Sequence, residues 1–512
     1  MNEKKIIFKP IPFLIFLLAA GASAFSIYSA MKNEFMPKQV ITYFIAALAI
    51  LNLLCLLLTI FMKKKWLQVI LSLLVILVTV PVGRAVYLLN GITGHLDNIF
   101  TSMPETTIEN MVLYDRRTDS SPDNIENGSY YYAILNNDIF HDVNAAASEV
   151  NSKAKAAAAI TYNNIFQIVE VLNTKDVHQH FIQNSVLIGE DYMEMGGDVW
   201  RTDYLMSMLK PVYTVSKEVS TGTIKNEKPD VYNEPFTVLI GGNEVRGSRS
   251  DTDYLGKSDI NILLAVDLPN RKIGAIMIPR DIYINYNGEA NHKDRLTYTS
   301  LHGIDKWINA VSDLLNCRID YFLRFNYSSV EKLIDALGGI ELDNSYGFQT
   351  YRDVKIGDEY ISPQHYFDAG NITLDGPYTI LFIRELMHLT GMYTDQMENT
   401  TKVAQAIVSK FKTLLPASFT EIKGTPERIT AAIDSLDKAA ATDLDVMAVI
   451  KSVLKNYDLT DTRPWQINIY QPDCYYSYDK CYSAGNYPVL VGKITDNTLE
   501  TSKNIVKSIL GE

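Results

Sequence analysis

The chain has 512 residues, a net charge of −12, 31 tyrosines and four cysteines. That length exceeds one compact domain, and the acidic balance excludes broad electrostatic attraction to nucleic acid. The composition, 47% hydrophobic, is ordinary on average but uneven, because apolar residues crowd into the first ninety positions.

Three apolar runs come first, about Ile11 to Ala30, Val40 to Met62 and Trp66 to Leu89. Each is near the ~20 residues a helix needs to cross ~30 Å of hydrocarbon. Two spans follow the first almost at once, so the first reads as a retained helix rather than a cleaved signal. Lys4, Lys5 and Lys9 precede the first run, and Lys63, Lys64 and Lys65 separate the second from the third. Basic residues stay inside, so residues 1–90 read as a multi-pass cell-membrane anchor with a cytoplasmic N-terminus. Everything after Leu89 is then extracytoplasmic. The short tail and turn left in the cytoplasm cannot hold a helix-turn-helix module.

Residues 91–225 read as an accessory domain of α/β or α+β type. Asn151 to Val171 is Ala-rich and predicts a helix, while Tyr130 to Leu135 and Ser185 to Gly189 predict strands. Ser216 to Tyr232 is polar and reads as a linker. No chemical constellation stands out here.

Residues 226–512 form the third part. Phe236 to Ile240 (FTVLI), Ile260 to Val266 (INILLAV) and Lys272 to Ile278 (KIGAIMI) are continuous apolar runs, which predict strands covered on both faces. Amphipathic helices follow at about Gly303 to Leu315, Ser328 to Leu337 and Thr400 to Leu415. The expected fold is therefore α/β, a mixed central sheet flanked by helices. Ser258-Asp259 precedes one strand and Arg280-Asp281 follows the next. An antiparallel hairpin would put both pairs at one sheet edge, where ligands gather. Arg384 closes the apolar run Tyr378 to Ile383. A carboxylate that can bind a hard cation, near guanidiniums that fork onto phosphate oxygens, suits phosphoryl chemistry. Arg-Asp pairs at strand ends also occur as plain surface ion pairs.

Cys474 and Cys481 lie in a Tyr-rich segment and read as a hairpin disulfide, or as two free thiols. Tyr470, Tyr475, Tyr476, Tyr478 and Tyr482 either stack on sugar rings or form an aromatic hairpin packed on the sheet. His292, His302, His365 and His388 lack ligand spacing.

Several segments resemble the catalytic domain of the LytR-CpsA-Psr family; the region before them resembles, more faintly, the accessory domain of its capsule-associated branch, which three N-terminal spans also suit. The catalytic-domain segments are GKSDINILLAVD (Gly256 to Asp267), IPRDIYI (Ile278 to Ile284), IDYFLRFNYSSVEKLIDALGGIEL (Ile319 to Leu342), LDG (Leu374 to Gly376) and IREL (Ile383 to Leu386). The Pro-Arg-Asp and Asp-Ala-Leu-Gly-Gly elements together are specific. The resemblance implies a transferase that moves a cell-envelope glycan, such as capsule or teichoic acid, from a polyprenyl-pyrophosphate carrier to peptidoglycan as a phosphodiester. It implies a lipid lying between sheet and helices, with magnesium as the metal. Carried over by position, Asp259, Arg280 and Arg384 would be catalytic, and Arg280, Arg384, Arg295 and Lys257 would bind the pyrophosphate. Asp259 and Asn243 would hold the metal, and Asp281 would orient Arg280. The chain departs from the family pattern at Asn243 (usually Asp), Lys257 (usually Arg), Leu386 (usually Arg), Gln396 (usually Arg) and Thr400 (usually Gln). Ser248 to Thr252 (SRSDT) is worded closer to the family triplet, and Arg249, Asp251 or Asp253 folding onto the site is an open alternative. The other reading is a non-catalytic relative that binds polyprenyl phosphate or scaffolds envelope-assembly proteins.

Overall fold

The computed structural model describes residues 10–32, 38–61, scattered positions between 70 and 80, 100–116, 124–136, 138, 141–173, 185–190, 209–222, 227–244, 255–286, 292–350, 354–356, 359–361, 365–384, 394–414, 440–446, 448–449, 466–484 and 486–511. The SRSDT alternative, Leu386 and His388 lie outside these residues, as do the side chains of Gln396 and His302.

Two apolar helices open the chain, α1 (Pro10–Lys32) and α2 (Lys38–Phe61). They are pinned together by an Asn52 amide that donates to the Ser23 hydroxyl at 2.8 Å. Most of the third expected span, Trp66 to Leu89, falls outside the described residues. Counted over the described residues alone, no helix is long and apolar enough to cross a membrane. The described structure therefore does not carry the three-span expectation.

The region expected to be an accessory domain comes next. β1 (Phe100–Thr101) precedes β2 (Thr106–Arg116), β3 (Ser129–Leu135), α3 (Val143–Lys153), β4 (Ala156–Tyr162), α4 (Ile165–Asn173), β5 (Ser185–Gly189) and β6 (Leu209–Ser220). Five of these strands form a sheet ordered β4-β3-β5-β2-β6. Two expectations need correction. The Ala-rich run is not one helix, because Ala156 to Tyr162 pairs in parallel with β3 as an edge strand between two helices. Alanine's high helix propensity is overridden by that pairing. The expected linker from Ser216 is β-strand as far as Ser220, paired along β2.

The large sheet is built from β7 (Phe236–Glu244), β8 (Lys257–Asp267), β9 (Lys272–Met277), then, beyond the hairpin β10 (Tyr283–Asn285) and β11 (Lys293–Arg295) and helix α5 (Ile304–Leu315), β12 (Tyr321–Asn326). Helix α6 (Tyr327–Ala336), strands β13 (Ile340–Asn344) and β14 (Gly370–Leu374), and helices α7 (Gly376–Arg384) and α8 (Thr394–Leu414) follow. β15 (Ala440–Thr442), β16 (Gln466–Tyr470), β17 (Cys474–Cys481), β18 (Tyr487–Ile494) and α9 (Asp496–Leu510) end the chain. Seven strands lie in the order β1-β15-β12-β7-β8-β9-β16. The sheet is mixed: β7 pairs in parallel with β12 and antiparallel with β8, and β8 pairs antiparallel with β9. The expected α/β fold, helices flanking a mixed sheet, is what the domain has.

The two faces of this sheet differ. Leu239, Leu263, Ala265, Ile276 and Phe322 are fully covered, in one core with α5 and α9. Burial of each leucine, isoleucine or phenylalanine among them contributes roughly 1.5–3 kcal/mol. On the opposite face Ile240, Ile262, Leu264, Leu323 and Phe325 are only half-buried. One end of that face is covered by a cluster from α6, α7 and α8, and the other by Leu444 and Val449. The row of five stays half-buried, with Ile262 and Phe325 packed against the first cluster and Ile240, Leu264 and Leu323 against the second.

The cysteines also need correction. Cys474 and Cys481 are free, at opposite ends of the single strand β17. Seven residue steps along the strand separate them by roughly 23 Å at ~3.3 Å per step, far beyond disulfide reach. The turn of this hairpin comes after Cys481, not between the two thiols.

Candidate functional site

The C-terminal ends of β7, β9 and β12 and the N-terminal end of β8 lie together, as their pairings require. A β-bulge interrupts the β7–β8 ladder there. Gly242 pairs with Ile260 and Asn243 with Ser258, so Asp259 is the extra residue. Bulges re-aim a side chain and often sit beside functional sites. This one separates Asp259 from the alternation of its strand.

Asp259 is 2% exposed. Its Oδ1 meets Arg280 Nη1 at 2.5 Å and accepts from the Thr297 hydroxyl at 3.4 Å. Its Oδ2 accepts from the Tyr327 hydroxyl at 3.1 Å. The Arg384 guanidinium stands 5.7 Å from the centre of the Tyr327 ring, within cation–π reach. The structure thus brings Asp259, Arg280 and Arg384 to one place, with Tyr327 between the acid and the second arginine. The β8–β9 hairpin joins Ser258-Asp259 to Arg280-Asp281, as its two apolar runs imply.

Asp281 is buried, 3.9 Å from Arg280 Nε and 3.4 Å from Arg295 Nη1. Arg295 is buried as well. It donates to the Tyr298 hydroxyl and lies 4.6 Å over that ring. Lys257 is 1% exposed, at the start of β8.

Asn243 is fully buried, and neither its side-chain oxygen nor its nitrogen has a hydrogen-bond partner among the described residues. Such a buried amide is costly, and its carbonyl is a hard oxygen donor of the kind magnesium takes. Magnesium needs only one or two protein carboxylates besides waters and substrate oxygens. Asp259 and Asn243 therefore fit it in donor chemistry, although no group of three or more His, Cys, Asp or Glu gathers among the described residues.

Sequence reasoning missed Arg324. This guanidinium is fully buried on β12. It donates to the Ser258 hydroxyl at 2.8 Å, to the Gly256 carbonyl at 3.3 Å and to the Ser300 hydroxyl at 3.4 Å. It also lies 4.8 Å over the Trp307 ring, and Trp307 Nε1 donates to Asn261 Oδ1 at 2.8 Å. Arg324 braces the segment that carries Asp259 from behind. A Cβ at Gly241 would sit 2.6 Å from Arg324 Nη1 and 2.8 Å from the Trp307 ring, so Gly241 makes room for both. The signal was a charged residue inside the apolar strand YFLRFN. Tyr327, one residue past that strand, carried none.

The histidines stay clear of this cluster where described: His292 stacks on Tyr482, and His365 packs on Tyr378. Glu398, exposed on α8, pairs with the half-buried Lys402 at 2.8 Å.

Residues 204–470 match the model of the LytR_cpsA_psr family, and the chain belongs to that family. Among curated proteins, a polyisoprenyl-teichoic acid–peptidoglycan teichoic acid transferase TagU from Oceanobacillus iheyensis is 29% identical over 225 residues, covering 43% of this chain and 62% of that protein. A Bacillus cereus protein of the same name is 26% identical over 270 residues, covering 51% of this chain and 80% of its own length. Among solved structures, B. subtilis TagV superposes at a TM-score of 0.40 with 17% identity, over 55% of this chain and 98% of that one.

Proposed function

We propose that this chain is a cell-envelope transferase that moves a glycan polymer from a polyprenyl-pyrophosphate carrier to peptidoglycan. The observation that carries the reading is the strand-end cluster: Arg280 on Asp259, Tyr327 on the same carboxylate and Arg384 over Tyr327. It stands beside a half-buried apolar sheet face. The relatives named for teichoic acid transfer support the substrate class.

In this reading the polyprenyl chain lies along Ile240, Ile262, Leu264, Leu323 and Phe325. Arg280, Arg384 and Lys257 neutralise the diphosphate, each through charge-assisted hydrogen bonds. A peptidoglycan hydroxyl attacks the sugar-side phosphorus. The bond from that phosphorus to the bridging oxygen breaks, polyprenyl monophosphate leaves, the hydroxyl proton passes to solvent and a phosphodiester remains. Asp259 holds Arg280 in register for this, and Asp281 backs the same turn. Magnesium bound at Asp259 and Asn243 would supply further neutralisation of the diphosphate. The N-terminal apolar helices would anchor the chain as three membrane spans, N-terminus inside.

A second reading, a polyprenyl-phosphate binder without turnover, is favoured by the neutral Asn243. One assay separates the two. The purified chain is incubated with magnesium, a polyprenyl-pyrophosphate-linked sugar and peptidoglycan. Transfer that Arg280→Ala and Asp259→Ala abolish supports the transferase. Lipid binding with no transfer supports the binder.

A further inference from the structure

Residues 294–301 touch the site and the accessory domain at once. Asp294, fully buried, accepts from the Ser483 amide at 2.6 Å and hydroxyl at 2.9 Å, and so ties β11 to the C-terminal hairpin. The Leu296 and Thr297 amides donate to the carbonyls of Ile282 and Arg280, both at 2.9 Å. Arg295 bridges Asp281 and the Tyr298 hydroxyl. Tyr298 and Leu301 are buried in one apolar cluster with Ile168 and Leu172 of α4 and residues of β2, β3 and β5. On the other flank of α4, Phe166 meets Tyr487 of β18 with ring centres 4.2 Å apart.

We propose that the accessory domain is part of the site: through Tyr298 it holds Arg295, and through Arg295 it fixes the Arg280-Asp281 turn that receives the diphosphate. Tyr298 and Arg295 are then positioning residues. The Tyr298 ring belongs to that cluster, while its hydroxyl serves the turn. These two roles separate in one variant, because phenylalanine keeps the ring and loses the hydroxyl. This inference rests on the diphosphate reading for its ligand, but its geometric half does not.

The test uses the full chain in detergent, with Tyr298→Phe, Arg295→Lys and Arg295→Met. Binding of a C20 polyprenyl pyrophosphate is measured together with amide exchange at Leu296, Thr297 and Gly492, whose donors hold the turn. Melting temperature serves as the folding control. Tyr298→Phe is expected to melt close to wild type and to exchange faster at those amides. It should bind the probe about tenfold more weakly, the effect of one charge-assisted hydrogen bond. Arg295→Lys should recover part of what Arg295→Met loses. Wild-type exchange at those amides in Tyr298→Phe overturns the proposal. So does unchanged probe affinity, or a loss confined to melting temperature. If the wild-type chain binds no probe, the diphosphate reading and the ligand half of this proposal fall together, and the exchange comparison alone decides whether Tyr298 holds the turn.

Discussion

Gly241→Ala tests whether the Asp259 segment is braced from behind. Gly241 is absent from the positive-φ positions of the backbone, so alanine meets no conformational penalty there, and the effect is steric. The new Cβ would lie 2.6 Å from Arg324 Nη1 and 2.8 Å from two Trp307 ring atoms. Neither neighbour yields easily. Arg324 is held by Ser258 and Gly256, and the fully buried Trp307 by Asn261. Overpacking of this kind costs about 1–3 kcal/mol, and displacing Arg324 from Ser258 adds about 1 kcal/mol. At about 2–4 °C per kcal/mol for a domain of this size, the melting temperature should fall by about 4–16 °C. Gly242→Ala is the internal comparison, because its Cβ would meet Ile260 and Phe325 at the looser distances of 3.0 and 3.1 Å on the half-buried face. Thermal melting of both variants in detergent is the assay. A Gly241→Ala chain that melts with wild type, or that is more stable than Gly242→Ala, would refute the bracing argument.

Two further predictions concern buried groups. Burial pushes the Asp294 carboxyl above its ordinary range, against the opposing hydrogen bonds from Ser483 and Arg295. Folding then favours its protonated form, so its contribution to stability is fully present below ~pH 3.9 and is lost as pH rises toward the elevated value. The melting temperature of wild type relative to Asp294→Asn should therefore decline as pH rises through that window, and a difference that grows with pH contradicts it. Burial also raises the thiols of Cys474 and, far more, Cys481. Both should alkylate slowly in the native chain, and peptide mapping without reductant should find no Cys474–Cys481 link; a linked peptide would overturn the strand assignment.

Much of the site was legible in the sequence. Two continuous apolar runs joined by Asp267-Leu268-Pro269-Asn270 dictate the β8–β9 hairpin, and that hairpin brings Asp259 to Arg280. Arg384 was assigned to the site through the family resemblance; the apolar run that it closes folds as α7. The bracing residues were not legible. Arg324 reaches Ser258 and Ser300, 66 and 24 positions away, a contact that only the parallel pairing of β12 with β7 creates. The accessory contact to Tyr298 is equally non-local. The Ala-rich segment misled for a related reason: local propensity favours a helix, but strand pairing with β3 prevails at a sheet edge. The cysteines misled because their spacing suits a hairpin turn, whereas the chain runs straight between them.

The most direct measurement is the affinity of the full chain for a polyprenyl pyrophosphate and for the matching monophosphate, in wild type, Arg280→Ala and Arg384→Ala. If the strand-end cluster seats a diphosphate, wild type prefers the pyrophosphate, and each variant loses about 10–100-fold of that affinity, at ~1.5–3 kcal/mol per charged hydrogen bond. Variants that bind the pyrophosphate as tightly as wild type would contradict the assignment.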